Sequence, residues 1–168
     1  MTLKALAALL CLAAPASASS LAEVVREDGR FTTLLAALDA AGLTETIAGD
    51  GTFTLYAPSD EAFAALPSGT VETLLLEENR ARLVEVLTYH LDDRILTTRQ
   101  LPEQVIRVRT VLEGTGICIA RVADGVTVTD ATGAVARVTE ADIRAENGVI
   151  HALDRVLLPG GLPRCQRM

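Results

Sequence analysis

The chain has 168 residues, room for one domain with a sizeable core, and a formal net charge of −7. That acidity excludes a reader of phosphate backbones, which needs a net basic face, and three phenylalanines, two tyrosines and no tryptophan leave too few rings for a base-stacking platform. Of the 15 basic residues only Lys4 is a lysine, so the chain beyond it has no Schiff-base, pyridoxal-phosphate or phosphate-loop lysine.

The first stretch reads as an export signal. Lys4 gives it a positive start, Ala5 to Ala14 is an unbroken apolar run, and Pro15-Ala16-Ser17-Ala18 offers small residues to a peptidase. Cleavage is expected after Ala18, placing the protein in the periplasm or outside the cell. The apolar run is about half of the ~20 residues that cross a bilayer, which predicts no permanent anchor. Cys11 follows the bulky Leu10, where a lipid-modified signal wants a small residue. The alanine- and arginine-heavy composition with such a signal suits a bacterium. A single domain is expected over residues 19–159, with a loose tail over 160–168.

Leu21, Val24 and Val25 begin an apolar stripe that stops at Asp28-Gly29. Phe31, Leu34, Leu35, Leu38 and Leu43 recur at helical spacing, with Gly42 placed to end the helix. Thr52 to Tyr56 alternates apolar and hydroxyl residues, as in a half-buried strand. Ala57-Pro58 breaks it, and Ser59 caps a new helix whose first turn holds Asp60 and Glu61, where carboxylates complement the positive helix end. Thr70 to Leu76 is another helical piece, and Asn79 to Leu91 places Leu83, Val86, Leu87 and His90 on one face.

Beyond Arg94 the period changes to two. Strands are expected over 105–111, 117–122, 126–129 and 134–138, with Asp124-Gly125 a strong hairpin signal. Asn147-Gly148 introduces a last strand, Val149 to Leu158, whose near-continuous apolar character predicts a central, doubly covered position. Helices first and strands later, with no linker between, predict one α+β domain. Cys118 and Cys165 form an even pair beyond the signal, read as a disulfide in an oxidising compartment. Closing that loop would stabilise the fold by about 4 kcal/mol. The alternative is two unrelated thiols, one in a strand and one in the tail.

Thr52-Phe53-Thr54-Leu55-Tyr56-Ala57-Pro58-Ser59-Asp60-Glu61-Ala62-Phe63 resembles the first signature of fasciclin-type domains. Asn147-Gly148-Val149-Ile150-His151-Ala152-Leu153-Asp154-Arg155-Val156-Leu157-Leu158 resembles the second, and Tyr89-His90 stands where that family has its Tyr-His pair. The resemblance covers residues 20–159. It implies an α+β wedge of mixed β-sheet packed against several short helices, with the two signature strands as neighbours in the core. It also implies an adhesion module that binds proteins or glycans at the cell surface or matrix, without a cofactor and without catalysis. The family often continues Tyr-His with a hydrophobic residue and a Pro-Gly turn, whereas here Leu91 leads into Asp92-Asp93-Arg94.

Candidate partner-binding residues follow: Tyr89, His90, Asp92 and Asp93, and the pair Asp142-Ile143, where animal relatives have an Asp-Ile pair proposed as an integrin contact. Each has a plainer reading. Ile143 fills the core while Asp142 caps a turn, and His90 is a core histidine satisfied by backbone groups. His151 and Asp154, three apart on a strand, face opposite sides and cannot share a metal. There is no His-Glu-x-x-His motif, no Cys-x-x-Cys pair and no Gly-x-Ser-x-Gly elbow. The runner-up function is a carrier or sensor of a small hydrophobic ligand held between helices and sheet.

Overall fold

The computed structural model describes residues 19–165. The stretch expected to be an export signal, with Cys11, and the last three residues of the chain lie outside the described residues. Three helices open the fold: α1 (Leu21–Asp28), α2 (Thr32–Ala41) and α3 (Thr44–Ala48). Ser20 starts α1 with a reciprocal capping box to Glu23. Gly42 ends α2 in the left-handed region at φ 73°, its N–H returned to the carbonyls of the last turn. Strand β1 (Phe53–Pro58) follows, then α4 (Asp60–Ala64), α5 (Thr70–Leu75) and α6 (Arg80–Tyr89). Ser59 caps α4 as its sequence suggests, accepting from the Ala62 amide.

The remaining strands are β2 (Leu91–Asp92), β3 (Ile106–Arg109), β4 (Gly116–Val122), β5 (Gly125–Thr129), β6 (Val135–Ala145) and β7 (Gly148–Leu153). They form one sheet in the order β2-β1-β7-β6-β5-β4-β3. Every neighbouring pair is antiparallel except β1 and β7, which run parallel from Phe53↔Gly148 to Pro58↔Leu153. The two signature stretches are therefore adjacent, with β7 fully buried between β1 and β6.

Strand β6 joins two halves of the sheet. Its start pairs with β5 and the rest with β7, through register shifts at Val138/Glu140 and Glu140/Ile143. Each half has its own core. Leu21, Phe31, Leu34, Leu38, Leu83 and Leu87 of the helices pack against Leu55 and Ile150 of the β1–β7 pair. On the opposite face Tyr56, Tyr89, Leu153 and Leu157 meet Val108, Ile117, Ile119 and Val128.

Three strand boundaries differ from the sequence reading. Strand β1 does not break at Ala57-Pro58 but runs through both, opposite Ala152 and Leu153 of β7. Strand β6 runs to Ala145 instead of ending near Val138, because the bulges at Thr139–Asp142 interrupt the alternation that marks a strand. Strand β7 stops at Leu153 instead of Leu158. Asp154 turns the chain, its Oδ1 accepting from the Arg137 amide at 2.8 Å. Val156 and Leu157 stay buried without a ladder partner, and the next amides bond to side chains: Leu157 N–H to His90 Nε2, Leu158 N–H to Asp130 Oδ2, each at 3.0 Å. The apolar run marked burial, not strand.

Candidate functional site

Tyr89 and His90 end α6 and point inward. The Tyr89 hydroxyl donates to the Gly116 carbonyl at 2.7 Å and accepts from the Ala131 amide at 2.9 Å, tying α6 to the far half of the sheet. Burial first of all raises its pKa, to about 12. His90 is 1 % exposed. Its Nδ1 donates to the Val86 carbonyl at 2.7 Å and its Nε2 accepts from the Leu157 amide, so the ring is a neutral bridge between two backbone groups. Burial holds its pKa down at about 4. Neither side chain is on the surface, which removes both from the set of candidate partner contacts.

Asp92 leaves that set for the same reason. It is fully buried, and both its oxygens accept from Arg94, the Nε and Nη2 contacts each at 2.9 Å. Burial pushes its carboxyl upward, against the pull of Arg94. Pairing of β2 with β1 explains the burial: Asp92 sits opposite Thr54, on the inner side of the sheet. Asp93 is the outward member of the pair, with its side chain 81 % exposed, followed by Arg94 at 59 % and Ile95 at 42 %. Thr54 fixes the base of this knuckle, its hydroxyl donating to the Arg94 carbonyl at 2.6 Å and accepting from the Leu96 amide at 2.8 Å.

Asp142 reaches the same segment from β6. Among the described residues it is the one non-glycine with positive φ, 57°, and its carboxylate accepts from the amide of Thr98 at 2.8 Å and from the Thr98 hydroxyl. Burial alone would raise its pKa, but the Thr98 hydrogen bonds outweigh it and hold the carboxyl below its ordinary value. Its amide donates to His151 Nδ1 at 3.2 Å, while His151 Nε2 donates to the Leu96 carbonyl at 2.8 Å. Ile143 is half-buried opposite Ile150 and packs against the helical core. Asp142 and His151 thus pin the 96–98 segment to the sheet, and the Asp142-Ile143 pair is built into the scaffold. Removing the carboxylate leaves two donors unpaired at a half-buried site, so Asp142→Ala is expected to destabilise by about 1–2 kcal/mol. Asp142→Asn, which tolerates the left-handed backbone and keeps one acceptor, should cost less. Urea midpoints of the two variants check the order, and equal losses would refute this role for the carboxylate.

Sequence reasoning missed Asn147. Its Oδ1 accepts from the Leu21 amide at 2.8 Å, and its Nδ2 donates to the carbonyls of Ile47 at 2.8 Å and Gly49 at 2.9 Å. Its own carbonyl takes the Phe53 amide at 3.0 Å. One side chain therefore joins α1, the end of α3 and the start of the β1–β7 pair. The signal was visible in Asn147-Gly148 but reads locally as a turn. Between the sheet halves Tyr56, Leu96, Leu101, Val128, Val138 and His151 line a cavity of about 10 Å³. The Tyr56 hydroxyl has no partner among the described residues, and burial drives its pKa upward. Among the described residues no group of three or more His, Cys, Asp or Glu side chains is arranged to hold a metal ion, and no helix is long and apolar enough to cross a membrane.

The arrangement defines an α+β domain in which signature polar residues hold loops and helices to a sheet. The fasciclin domain model matches residues 29–159, and the chain belongs to that family. It is similar to Protein sll1483 of Synechocystis sp., 43% identical over 153 residues, covering 90% of this chain and 80% of that one. It is also similar to the transforming growth factor-beta-induced protein ig-h3 of Sus scrofa, 38% identical over 137 residues and 82% of this chain, but only 19% of that longer protein. A solved fasciclin domain pair from the insect cell adhesion molecule Fasciclin I superposes with a TM-score of 0.73 at 17% identity, over 83% of this chain and 51% of that one.

Proposed function

We propose that the chain is an exported, non-catalytic binding and adhesion module that meets a protein or glycan through its outward loops, foremost the Asp93–Ile95 knuckle. In this reading residues 1–18 are a removable signal, 19–159 the domain and 160–168 a tail. One observation carries it: the buried members of the family-like polar positions are occupied inside the fold. Tyr89, His90 and Asp92 make internal hydrogen bonds, and Asp93 alone of that segment's candidates turns outward. The chain's two histidines each have both ring nitrogens engaged by backbone groups, which leaves neither free as a general base. The fold shared with a cell adhesion molecule's domain pair supports the same reading. The carrier reading has less support. The apolar cavity between the sheet halves holds about 10 Å³, far below a ligand pocket of roughly 300 Å³ or more. The hollow of about 320 Å³ between helices and sheet is lined by the charged side chains of Arg30, Asp60, Glu61 and Asp154, which do not favour a hydrophobic ligand.

The test is capture of partners by the purified protein on the envelope fraction of its own host. An Asp93→Ala/Ile95→Ala variant removes exposed atoms that serve no core contact, so its melting temperature should match the parent's. Its capture should fall roughly tenfold, equivalent to about 1.4 kcal/mol. A variant that retains every partner at parental strength rejects the knuckle. Turnover abolished by a change at His90 or His151 in an otherwise folded protein would reject the non-catalytic reading.

A further inference from the structure

After Leu158 the chain crosses the outer face of β3, β4 and β5. Gly160 lies over Ala131, where an added Cβ would come within 2.8 Å of the alanine methyl. Leu162 covers Gly116, with 3.5 Å between its Cδ2 and the position of a Cβ there. The Arg107 guanidinium donates to the Pro163 carbonyl at 2.8 Å, and Cys165 is disulfide-bonded to Cys118, 47 residues away in sequence. Cys118 faces outward because Ile117 and Ile119 on either side of it fill the inner core. Gly116 and Ala120 share its face along β4.

Without the disulfide little holds this strap. Among the described residues, 159–165 make no backbone ladder bond, and no residue of the strap belongs to either hydrophobic core. Leu162 is 53% exposed, so the fastening reduces to one guanidinium–carbonyl hydrogen bond, the buried Pro163 and the Sγ–Sγ bond. Ordering seven residues against so few contacts is unfavourable on its own.

We propose that Cys118–Cys165 is a redox latch: reduction by a dithiol releases residues 159–165 and uncovers the outer face of β4 beside the edge strand β3, while the domain stays folded. Attack falls on the half-buried Cys165, since Cys118 is 3% exposed. A thiolate of the reductant bonds to Cys165 Sγ, and Cys118 leaves as a thiolate and takes up a proton. The reductant's second thiol, as thiolate, then displaces Cys165, which is released as a thiol in its turn. The reductant ends as a disulfide and the protein as two thiols. Arg107 of the edge strand loses its Pro163 partner in the same event, so the latch sets when that outer face is accessible.

Dithiothreitol is the probe, read by hydrogen exchange and by maleimide labelling of Cys118 in the folded full chain. On reduction, Cys118 should become labelled at a rate within about tenfold of that in the urea-unfolded chain, since the strap no longer covers it. The amides of β1 and β7 and the far-UV circular dichroism should stay unchanged. Cys165→Ser should show the open state without reductant, and if that variant fails to fold the reduced parent gives the same reading. Cys118 that stays unlabelled after reduction overturns the proposal, as does exchange in β1 and β7 rising on reduction.

Discussion

Gly148→Ala is expected to destabilise the protein by roughly 3–5 kcal/mol, lowering its melting temperature by about 10–15 °C. A Cβ at this position would lie 2.0 Å from the Phe53 carbonyl oxygen and 3.0 Å from both the Phe53 carbonyl carbon and Leu21 Cδ1. The obstructing atom is backbone, in the first register pair of the parallel β1–β7 ladder. It can retreat only by opening that pair and pulling away the Phe53 amide, which is bonded to Asn147. Leu21 offers no slack either, being fully buried with its amide held by the Asn147 side chain. Overpacking against side chains costs about 1–3 kcal/mol because side chains rotate; against a carbonyl in a paired strand the cost exceeds that range. Gly161, with open space around its Cβ position and no positive φ, is the internal comparison: Gly161→Ala should change stability by less than about 0.5 kcal/mol. Thermal and urea unfolding of the two variants measure the contrast. A Gly148→Ala protein that melts within 3 °C of the parent would show that the β1–β7 start yields more easily than its geometry implies.

The same glycine shows what the sequence does and does not disclose. Asn147-Gly148 was legible as the entrance to a strand, but the turn between β6 and β7 is Glu146-Asn147, since Ala145 pairs with Gly148. Gly148 is a strand residue that needs a missing side chain because another backbone comes close. Local chemistry shows a turn; a close approach from a strand some 90 residues away leaves no local trace. Helix starts and stops, by contrast, are local events, and Ser59 and Gly42 behave as their types predict. Strand β6 lies between: its two ends alternate as strands should, and the bulged middle that lets it serve both sheet halves erases the pattern.

The candidate site divides along the same line. Residue type and family position single out Tyr89, His90, Asp92, Asp93, Asp142 and Ile143; of these Tyr89, His90 and Asp92 are buried, Asp142 and Ile143 half-buried and Asp93 exposed. What sequence could not supply is direction. A two-residue strand, β2, turns Asp92 in and Asp93 out, and nothing in Asp92-Asp93 distinguishes them. His90 was expected to lie on the apolar face of its helix; that its second ring nitrogen meets the Leu157 amide depends on the end of β7, where the apolar run leaves the ladder. Function in such a domain belongs to whatever the interior leaves over.

Acid should weaken the fold well before its carboxylates protonate, by roughly 3 kcal/mol between pH 7 and pH 4 from His90 alone. Burial lowers the folded pKa of His90 from 6.5 to about 4. Between those values the unfolded chain binds a proton that the native ring refuses, so stability is complete above pH 6.5 and drains away as the pH falls towards 4. About 2 kcal/mol should be gone at pH 5. The structural cause is explicit: a second ring proton would face the Leu157 N–H across 3.0 Å, turning an accepted hydrogen bond into a donor–donor clash. Nearby Asp130 favours the charged ring but is outweighed by burial. His151, also lowered by burial, adds loss of the same sign. The depressed carboxyls of Asp28, Asp60 and Asp142 act in a separate window, contributing stability above their ordinary value of 3.8 and losing it below. Asp92, raised by burial, works the other way: the native state takes up its proton first as the pH falls, which offsets part of the acid loss. Urea midpoints taken at constant slope from pH 7.5 to pH 4.5 read the sum. His90→Gln should begin less stable at pH 7.5 yet lose less between pH 6.5 and pH 5. Midpoints that stay level across that interval in the parent protein would mean that the buried ring accepts its proton without opening the Leu157 contact.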